Sequence, residues 1–136
     1  MATLLLALLL GLLEAPAGAA TRPMEESLHR MVNQARGSTG LQELTLAGQP
    51  TRKARRHSAR MAAEGRIFHT TCLQCDFGRS RRIAENVGMG GSLNQVMQAM
   101  MGSPPHQHNI LGSYDQVGLG VVRRGGVLWV TMVFLQ

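Results

Sequence analysis

The last part of the chain decides the fold class: residues 117 to 134 read VGLGVVRRGGVLWVTMVF. Two runs rich in valine flank the four residues Arg123-Arg124-Gly125-Gly126. Valine and aromatic residues favour strands, and a Gly-Gly pair suits a tight turn because glycine adopts positive φ without a steric cost. The segment therefore predicts a β-hairpin whose turn contains Gly125 and Gly126.

Two amphipathic helices are predicted upstream of the hairpin. Apolar side chains recur at the i, i+3, i+4, i+7 spacing of one helix face at Leu28, Met31, Val32 and Ala35. With Gly37 just beyond, this pattern predicts a first helix over residues 24 to 36. A second helix is predicted from Pro50, which suits a first helical turn, to Gly65.

Helical signals continue between the second helix and the hairpin. Ser92 and Gln95 have the S-x-x-Q form of a capping box, and the third helix that follows is predicted to end near Gly102. Ser103 then suits an N-cap and Pro104 the first position of a new helical turn. Because the helices precede a terminal pair of strands, the chain is predicted to form an α+β domain.

The amino terminus has the pattern of a secretory leader. Residues 4 to 13 form a largely apolar run, and Ala15-Pro16-Ala17 and Ala17-Gly18-Ala19 both fit an A-x-A cleavage site. We predict a signal peptide over residues 1 to 19 and one domain over residues 20 to 136, secreted or periplasmic. The run is shorter than the ~20 apolar residues that span a bilayer, and no second one follows. No transmembrane segment is therefore predicted in the mature protein.

The chain is basic, with a formal net charge of +6 from 14 Lys and Arg residues and 8 acids. Aromatic residues make up only 4% of the sequence, which is too few for a surface that stacks bases, so no nucleic-acid partner is predicted. The second helix has a basic face formed by Arg52, Lys53, Arg55, Arg56 and Arg60. Such a face attracts phosphate-rich surfaces such as lipid head groups, and a simply solvated face is the alternative.

The sequence has two cysteines, Cys72 and Cys75. Export implies an oxidising compartment, so a local disulfide between them is the preferred interpretation. His69 precedes them at H-x-x-C-x-x-C spacing, which suits three ligands of a zinc site. A closed structural site would need one more ligand, so zinc binding is the second alternative. Free thiols are the third alternative.

Three segments follow one another in a characteristic order: Phe68-His69-Thr70, Ala84-Glu85-Asn86-Val87 and Ser103-Pro104-Pro105-His106-Gln107-His108-Asn109-Ile110-Leu111. Together with the second helix and the hairpin, they resemble the CAP superfamily, also called SCP domains, in its compact bacterial form. The resemblance covers nearly the whole mature chain. It implies an α-β-α sandwich and ligands such as lipids or cell-envelope components.

The resemblance also implies a site. Family members with the full cavity have two histidines and two glutamates facing a central cleft that can hold a divalent metal, and the matching positions here are His69, Glu85 and His106. The segment expected to supply the second acid reads Met100-Met101-Gly102-Ser103, without an acid. A mechanism in which one carboxyl group donates a proton and another accepts it needs two acids. Glu85 has no second acid to act with it in such a mechanism.

These residues allow two functions and a structural alternative. Two neutral imidazoles and a carboxylate can bind Zn²⁺ or another divalent cation, the only cofactor that the sequence indicates. The preferred function is a non-enzymatic binding module for a lipid or cell-envelope component. The alternative is a weak metal-dependent hydrolase with Glu85 as the candidate general base. In the structural alternative, His69, Glu85 and His106 form only a buried hydrogen-bond network.

The remaining polar residues of these segments are interpreted as structural. Ser103, His106 and Glu85 have the residue types of a nucleophilic triad, but Ser103 before Pro104 is better explained as an N-cap. Asn86 and Asn109 are short amides of the kind that hold backbone in loops. His108 is expected to be exposed, because residues i and i+2 of a helical turn point to different faces.

Overall fold

The computed structural model describes residues 17 to 136, so the predicted signal peptide lies largely outside the described residues. The helices in this range are α1 (Ala17–Gly37), α2 (Gly48–Glu64), α3 (Leu73–Asp76), α4 (Leu93–Met101) and α5 (Pro104–Ile110). The strands are β1 (Thr45–Leu46), β2 (Ile83–Gly90), β3 (Gln116–Arg124) and β4 (Val127–Leu135). No helix among these residues is long and apolar enough to cross a bilayer.

The predicted helices and the hairpin are present, with differences at specific places. Helix α1 begins at Ala17 rather than at residue 24, because the alanines that precede the apolar stripe favour helix without adding to its periodic pattern. The sequence pattern does not predict β1, α3 or β2. Strand β2 reads IAENVGMG, in which polar residues and glycines interrupt the alternation that identifies a strand.

The strands form one sheet in the order β1-β3-β4-β2. The predicted hairpin is its centre: β3 and β4 pair antiparallel, with Val121 opposite Val130. Gly125 and Gly126 have φ values of +58° and +78°, the positive values that a two-residue type I′ turn requires. Strand β2 pairs antiparallel with β4, which places Glu85 opposite Val133, and β1 pairs parallel with β3.

The sheet separates two layers of helices, which gives a three-layer α-β-α sandwich. The larger core lies between the sheet and helices α1, α4 and α5 and includes Leu28, Val32, Met97, Ile110, Val121, Val130 and Phe134. The other face is covered by α2, whose apolar residues belong to two smaller clusters that include Ala54, Met61, Ala62, Val87, Trp129, Val133 and Leu135. The α+β class expected from the sequence is thus confirmed.

Helix α2 lies in close contact with β3 because the strand presents glycines on that face. A Cβ atom added at Gly118 would lie 2.3 Å from the carbonyl carbon of Pro50, and one at Gly120 would lie 2.3 Å from that of Ala54. Ser58 Oγ donates a hydrogen bond to the carbonyl of Gly120 at 3.0 Å. The two glycines therefore fix how near the basic helix comes to the sheet.

Arg36, at the end of α1, connects the amino-terminal helix to α5. Its guanidinium donates to the carbonyls of Gln42 at 2.9 Å, Ile110 at 2.9 Å and Gly112 at 2.8 Å. The residue is 2% exposed, and burial lowers the pKa of the guanidinium. These bonds satisfy carbonyls at the carboxyl end of α5, so they help to set the position of the helix that carries His106.

Candidate functional site

Three elements supply the candidate site residues. His69 and Thr70 lie in the loop between α2 and α3, Glu85 lies on β2, and His106 lies on α5. The Glu85 side chain is 1% exposed, whereas that of His69 is 61% exposed. The site therefore combines a buried acid with an exposed imidazole.

Both oxygens of the Glu85 carboxylate accept hydrogen bonds from the loop. Oε1 accepts from the backbone N–H of Thr70 at 2.8 Å and from Nδ1 of His69 at 2.9 Å. Oε2 accepts from the hydroxyl of Thr70 at 2.6 Å. Hydrogen bonds to an ionised acceptor are among the stronger ones, so this buried carboxylate holds the loop against β2.

These contacts fix which ring nitrogens carry protons. Because a carboxylate can only accept, Nδ1 of His69 is the donor, and Nε2 carries the lone pair when the ring is neutral. Nε2 of His57 lies 2.6 Å from the carbonyl of Phe68 and is likewise a donor. This bond from His57 holds the loop from α2 as well as from β2, and His57 Nδ1 lies 3.4 Å from the Thr70 hydroxyl oxygen, whose proton goes to Glu85.

His106 has a different set of partners. Its Nδ1 lies 2.8 Å from Ser103 Oγ, and the Ser103 hydroxyl makes no capping bond to the backbone of α5. Ser103 occupies the N-cap position of α5, as predicted, but its side chain does not cap the helix. The triad is not assembled either, because Glu85 bonds to His69 and not to His106.

Two amides join α5 to β2. Asn109 Nδ2 donates to Asn86 Oδ1 at 2.8 Å, and Asn86 Nδ2 donates to the carbonyl of His106 at 2.9 Å. Asn86 is fully buried. Asn86 and Asn109 thus have structural contacts as expected, although these join a strand to a helix and do not lie within loops. His108 is exposed as expected.

The candidate metal ligands do not fit a three-ligand site in this arrangement. Among residues 17 to 136, no three His, Cys, Asp or Glu side chains are grouped so that they could hold one ion. Glu85 is occupied by donors from His69 and Thr70, and the Nδ1 of His106 faces Ser103. Metal binding by His69, Glu85 and His106 stays a prediction from the sequence.

The two cysteines flank the first turn of α3. Their sulfur atoms are 2.05 Å apart, and the backbone N–H of Cys75 donates to Cys72 Sγ at 3.2 Å. Both residues are exposed. The geometry corresponds to the disulfide alternative rather than to a zinc site or to free thiols.

A cavity of about 230 Å³ lies beside α2, and we call it the α2 cavity. Its lining includes Arg56, Arg60, Thr70, Phe77, Glu85 and Val133, whereas His69 and His106 do not line it. Thr70 belongs to one of the segments that resemble the CAP superfamily, but neither a role for it nor a pocket beside α2 is predicted from the sequence. Two features of the sequence point toward this cavity: the basic face of the second helix and the position of Thr70 directly after His69.

The fold and the site together define the class of protein. The chain is an α-β-α sandwich in which Glu85 and Asn86 lie on the edge strand β2, and α5, which carries His106, packs against this strand. The sequence model of the cysteine-rich secretory protein family, CAP, matches residues 29–134. The chain therefore belongs to the CAP family, as the sequence segments indicated. No curated protein matches it in a direct sequence search.

Solved structures with the same fold come from several bacteria. An outer surface protein of Borrelia burgdorferi is 18% identical, with a TM-score of 0.77 over 85% of this chain and 93% of that one. An extracellular SCP-domain protein of Bacillus anthracis is 18% identical, with a TM-score of 0.77 over 90% of this chain and 45% of that one. A cysteine-rich secretory protein of Staphylococcus aureus is 23% identical, with a TM-score of 0.71 over 85% and 39%. The chain thus spans less than half of the last two proteins.

Proposed function

We propose that this protein is an extracytoplasmic CAP-family binding module that holds a ligand without converting it. The ligand class is a lipid or another component of the cell envelope. The binding region is the one around Glu85, where α2, β2 and the loop from 69 to 77 meet. In this region the acid acts as a structural acceptor that keeps the loop in place.

The hydrogen bonding of Glu85 is the observation that supports a non-catalytic role. A general base needs a free acceptor atom within reach of the proton that it removes. Donors from His69 and Thr70 occupy both carboxylate oxygens, and the side chain is 1% exposed. Three donors from the loop therefore take three of the carboxylate's roughly four lone-pair sites and leave little room for a substrate proton.

Two observations support a location outside the cytoplasm. Residues 1 to 19 have the pattern of a secretory signal peptide. The proteins with the same fold are described as an outer surface protein, an extracellular protein and a secretory protein. A lipid or envelope ligand is accessible to a protein in that compartment.

The alternative function is a metal-dependent hydrolase, and one contact favours it. A metal-binding histidine commonly uses the N–H of its other ring nitrogen to donate a hydrogen bond to a carboxylate. His69 donates such a bond from Nδ1 to Glu85. This contact would leave Nε2 of an exposed ring for an ion, with His106 as the other candidate ligand. Glu85 would then orient His69 instead of removing a proton from water.

A turnover assay distinguishes the two functions. The purified protein is tested on ester and peptide substrates after EDTA treatment and after addition of Zn²⁺, and in parallel for sedimentation with vesicles of envelope phospholipids. We expect vesicle binding without turnover in either condition. Zinc-dependent turnover that disappears in both His69→Ala and His106→Ala, with melting temperatures unchanged, would overturn the proposal.

A further inference from the structure

Positive charge is concentrated in one part of the chain. Nine of the fourteen Lys and Arg residues fall between Gly48 and Glu85, together with only three of the eight acids. Arg52, Arg56 and Arg60 follow one another at i, i+4 and i+8 on α2, and all three are exposed. A surface with this imbalance raises the local concentration of anions.

Two of these arginines border the α2 cavity, where the acids already have partners. Arg56 and Arg60 both line it. Of the two acids in its wall, Asp76 forms an ion pair with Lys53, and Glu85 accepts three hydrogen bonds from the loop. The guanidinium groups of Arg56 and Arg60 are therefore the charges that remain for a ligand.

The Arg60 guanidinium lies near the ring of Phe68, which Arg66 also contacts at 4.5 Å. Its central carbon lies 5.4 Å from the ring centroid of Phe68, within the range of a cation–π interaction. Its ion pair with Glu64 is long, at 3.9 Å, and solvent-exposed, so this pair competes only weakly for the charge. A planar guanidinium with weak competition for its charge suits a ligand with two acceptor oxygens, since arginine forms paired bonds to such groups.

The inner wall of the cavity is apolar. Ala54, Phe77 and Val133 are buried and form part of one core cluster, against which Leu73 packs. The volume of about 230 Å³ is below the range of about 300–1,000 Å³ of sites that enclose a drug-sized molecule. The cavity therefore has room for a head group and a few adjoining carbon atoms, while the rest of a larger ligand would stay outside.

We infer that the α2 cavity binds the phosphate ester group of an amphipathic molecule, with Arg56 and Arg60 as its phosphate ligands. This inference rests on the proposed function and names the chemistry of its ligand. The apolar wall contacts the carbon atoms next to the ester, and the phosphate oxygens accept from the two guanidinium groups. Either a membrane phospholipid or a soluble phosphate ester can supply this group.

The test uses two probes and a charge-matched control. Binding to the full mature protein is measured by calorimetry with glycerol 3-phosphate, and by sedimentation with phosphatidylglycerol vesicles against phosphatidylcholine vesicles. The test variant carries Arg56→Gln and Arg60→Gln. The control carries Arg22→Gln and Arg30→Gln on α1, where both residues are exposed, so the net charge changes equally.

We expect the test variant to bind at least about tenfold more weakly, which corresponds to about 1.4 kcal/mol, because it loses the charge-assisted bonds to the phosphate. The control should bind less than about twofold more weakly. Binding of glycerol 3-phosphate alone supports a soluble ester, and binding of phosphatidylglycerol vesicles alone supports a membrane lipid. Equal weakening in both variants, or no binding of either probe, overturns the inference. If envelope lipids still bind wild type and the test variant alike, the proposed function stands without this site. If nothing of the envelope binds, both fail.

Discussion

Thr70 donates two hydrogen bonds to Glu85, from its backbone N–H to Oε1 at 2.8 Å and from its hydroxyl to Oε2 at 2.6 Å. The pair joins the loop after α2 to the edge strand β2, across a sequence separation of 15 residues. It also determines what the acid can do, because an oxygen that is already a hydrogen-bond acceptor in a buried site is poorly placed to take a proton from a substrate.

Removal of the Thr70 hydroxyl tests the strength of this contact. We expect Thr70→Val to lower the free energy of unfolding by about 1–3 kcal/mol, because a buried carboxylate oxygen loses its donor while the side-chain shape is kept. Urea unfolding at neutral pH measures the change. Thr71→Val is the matched control, since Thr71 is exposed. Equal effects of the two substitutions would show that the hydroxyl contributes nothing specific.

The amide pair between α5 and β2 gives a second prediction. Asn86→Ala removes the donor to the His106 carbonyl and the acceptor of Asn109, both in a fully buried position. We expect a loss of about 2–4 kcal/mol in the free energy of unfolding, the sum of two unsatisfied groups. The exposed Asn94 on α4 provides the control Asn94→Ala. A loss below that of the control would contradict the role given to the pair.

The close packing of α2 on β3 predicts a large effect from one added methyl group. Gly120→Ala places a Cβ 2.3 Å from the backbone of Ala54, so helix and strand must separate. We expect a loss of about 3 kcal/mol or more, at the upper end of overpacking effects, because the atoms met are backbone. Gly37→Ala, which meets nothing within 4 Å, should leave the melting temperature unchanged or raise it. A tolerated Gly120→Ala is the result that this packing does not allow.

The bridge between Cys72 and Cys75 predicts a response to reductant. Alkylation without reductant should label no thiol, and labelling after reduction should add two groups. A loop of this length contributes about 2 kcal/mol in the chain-entropy description, so reduction should lower the melting temperature by a few degrees. The variant with Cys72→Ser and Cys75→Ser should not respond to reductant. Two thiols that label at once in protein purified under oxidising conditions would exclude the bridge.

The parts of the fold that were predictable are those with a local signal. The hairpin at Gly125 and Gly126 and the stripe that begins at Leu28 follow from spacing within a few residues. Strand β2 carries no such signal, because Glu85 and Asn86 are polar residues buried by partners far away in the sequence. Its strand character comes from pairing with β4, which a local pattern does not contain.

The pairing within the candidate site was not predictable from the sequence. The family resemblance brings His69, Glu85 and His106 together as one set. The structure joins His69 to Glu85 and turns the Nδ1 of His106 to Ser103, because the three residues come from a loop, a strand and a helix whose relative positions depend on long-range packing. The α2 cavity depends on the same packing, so only its positive charge was predictable from the sequence.

The stability of Glu85→Gln is the most direct test of the claim that this acid is a structural acceptor. The amide keeps the shape of the side chain but presents one N–H₂ group to donors from His69 and Thr70 and removes the charge. We predict a loss of about 2–4 kcal/mol in the free energy of unfolding, with the exposed Glu26→Gln on α1 close to wild type. Unchanged or increased stability of Glu85→Gln would contradict the account, since that is the behaviour of an acid retained for chemistry at the expense of stability.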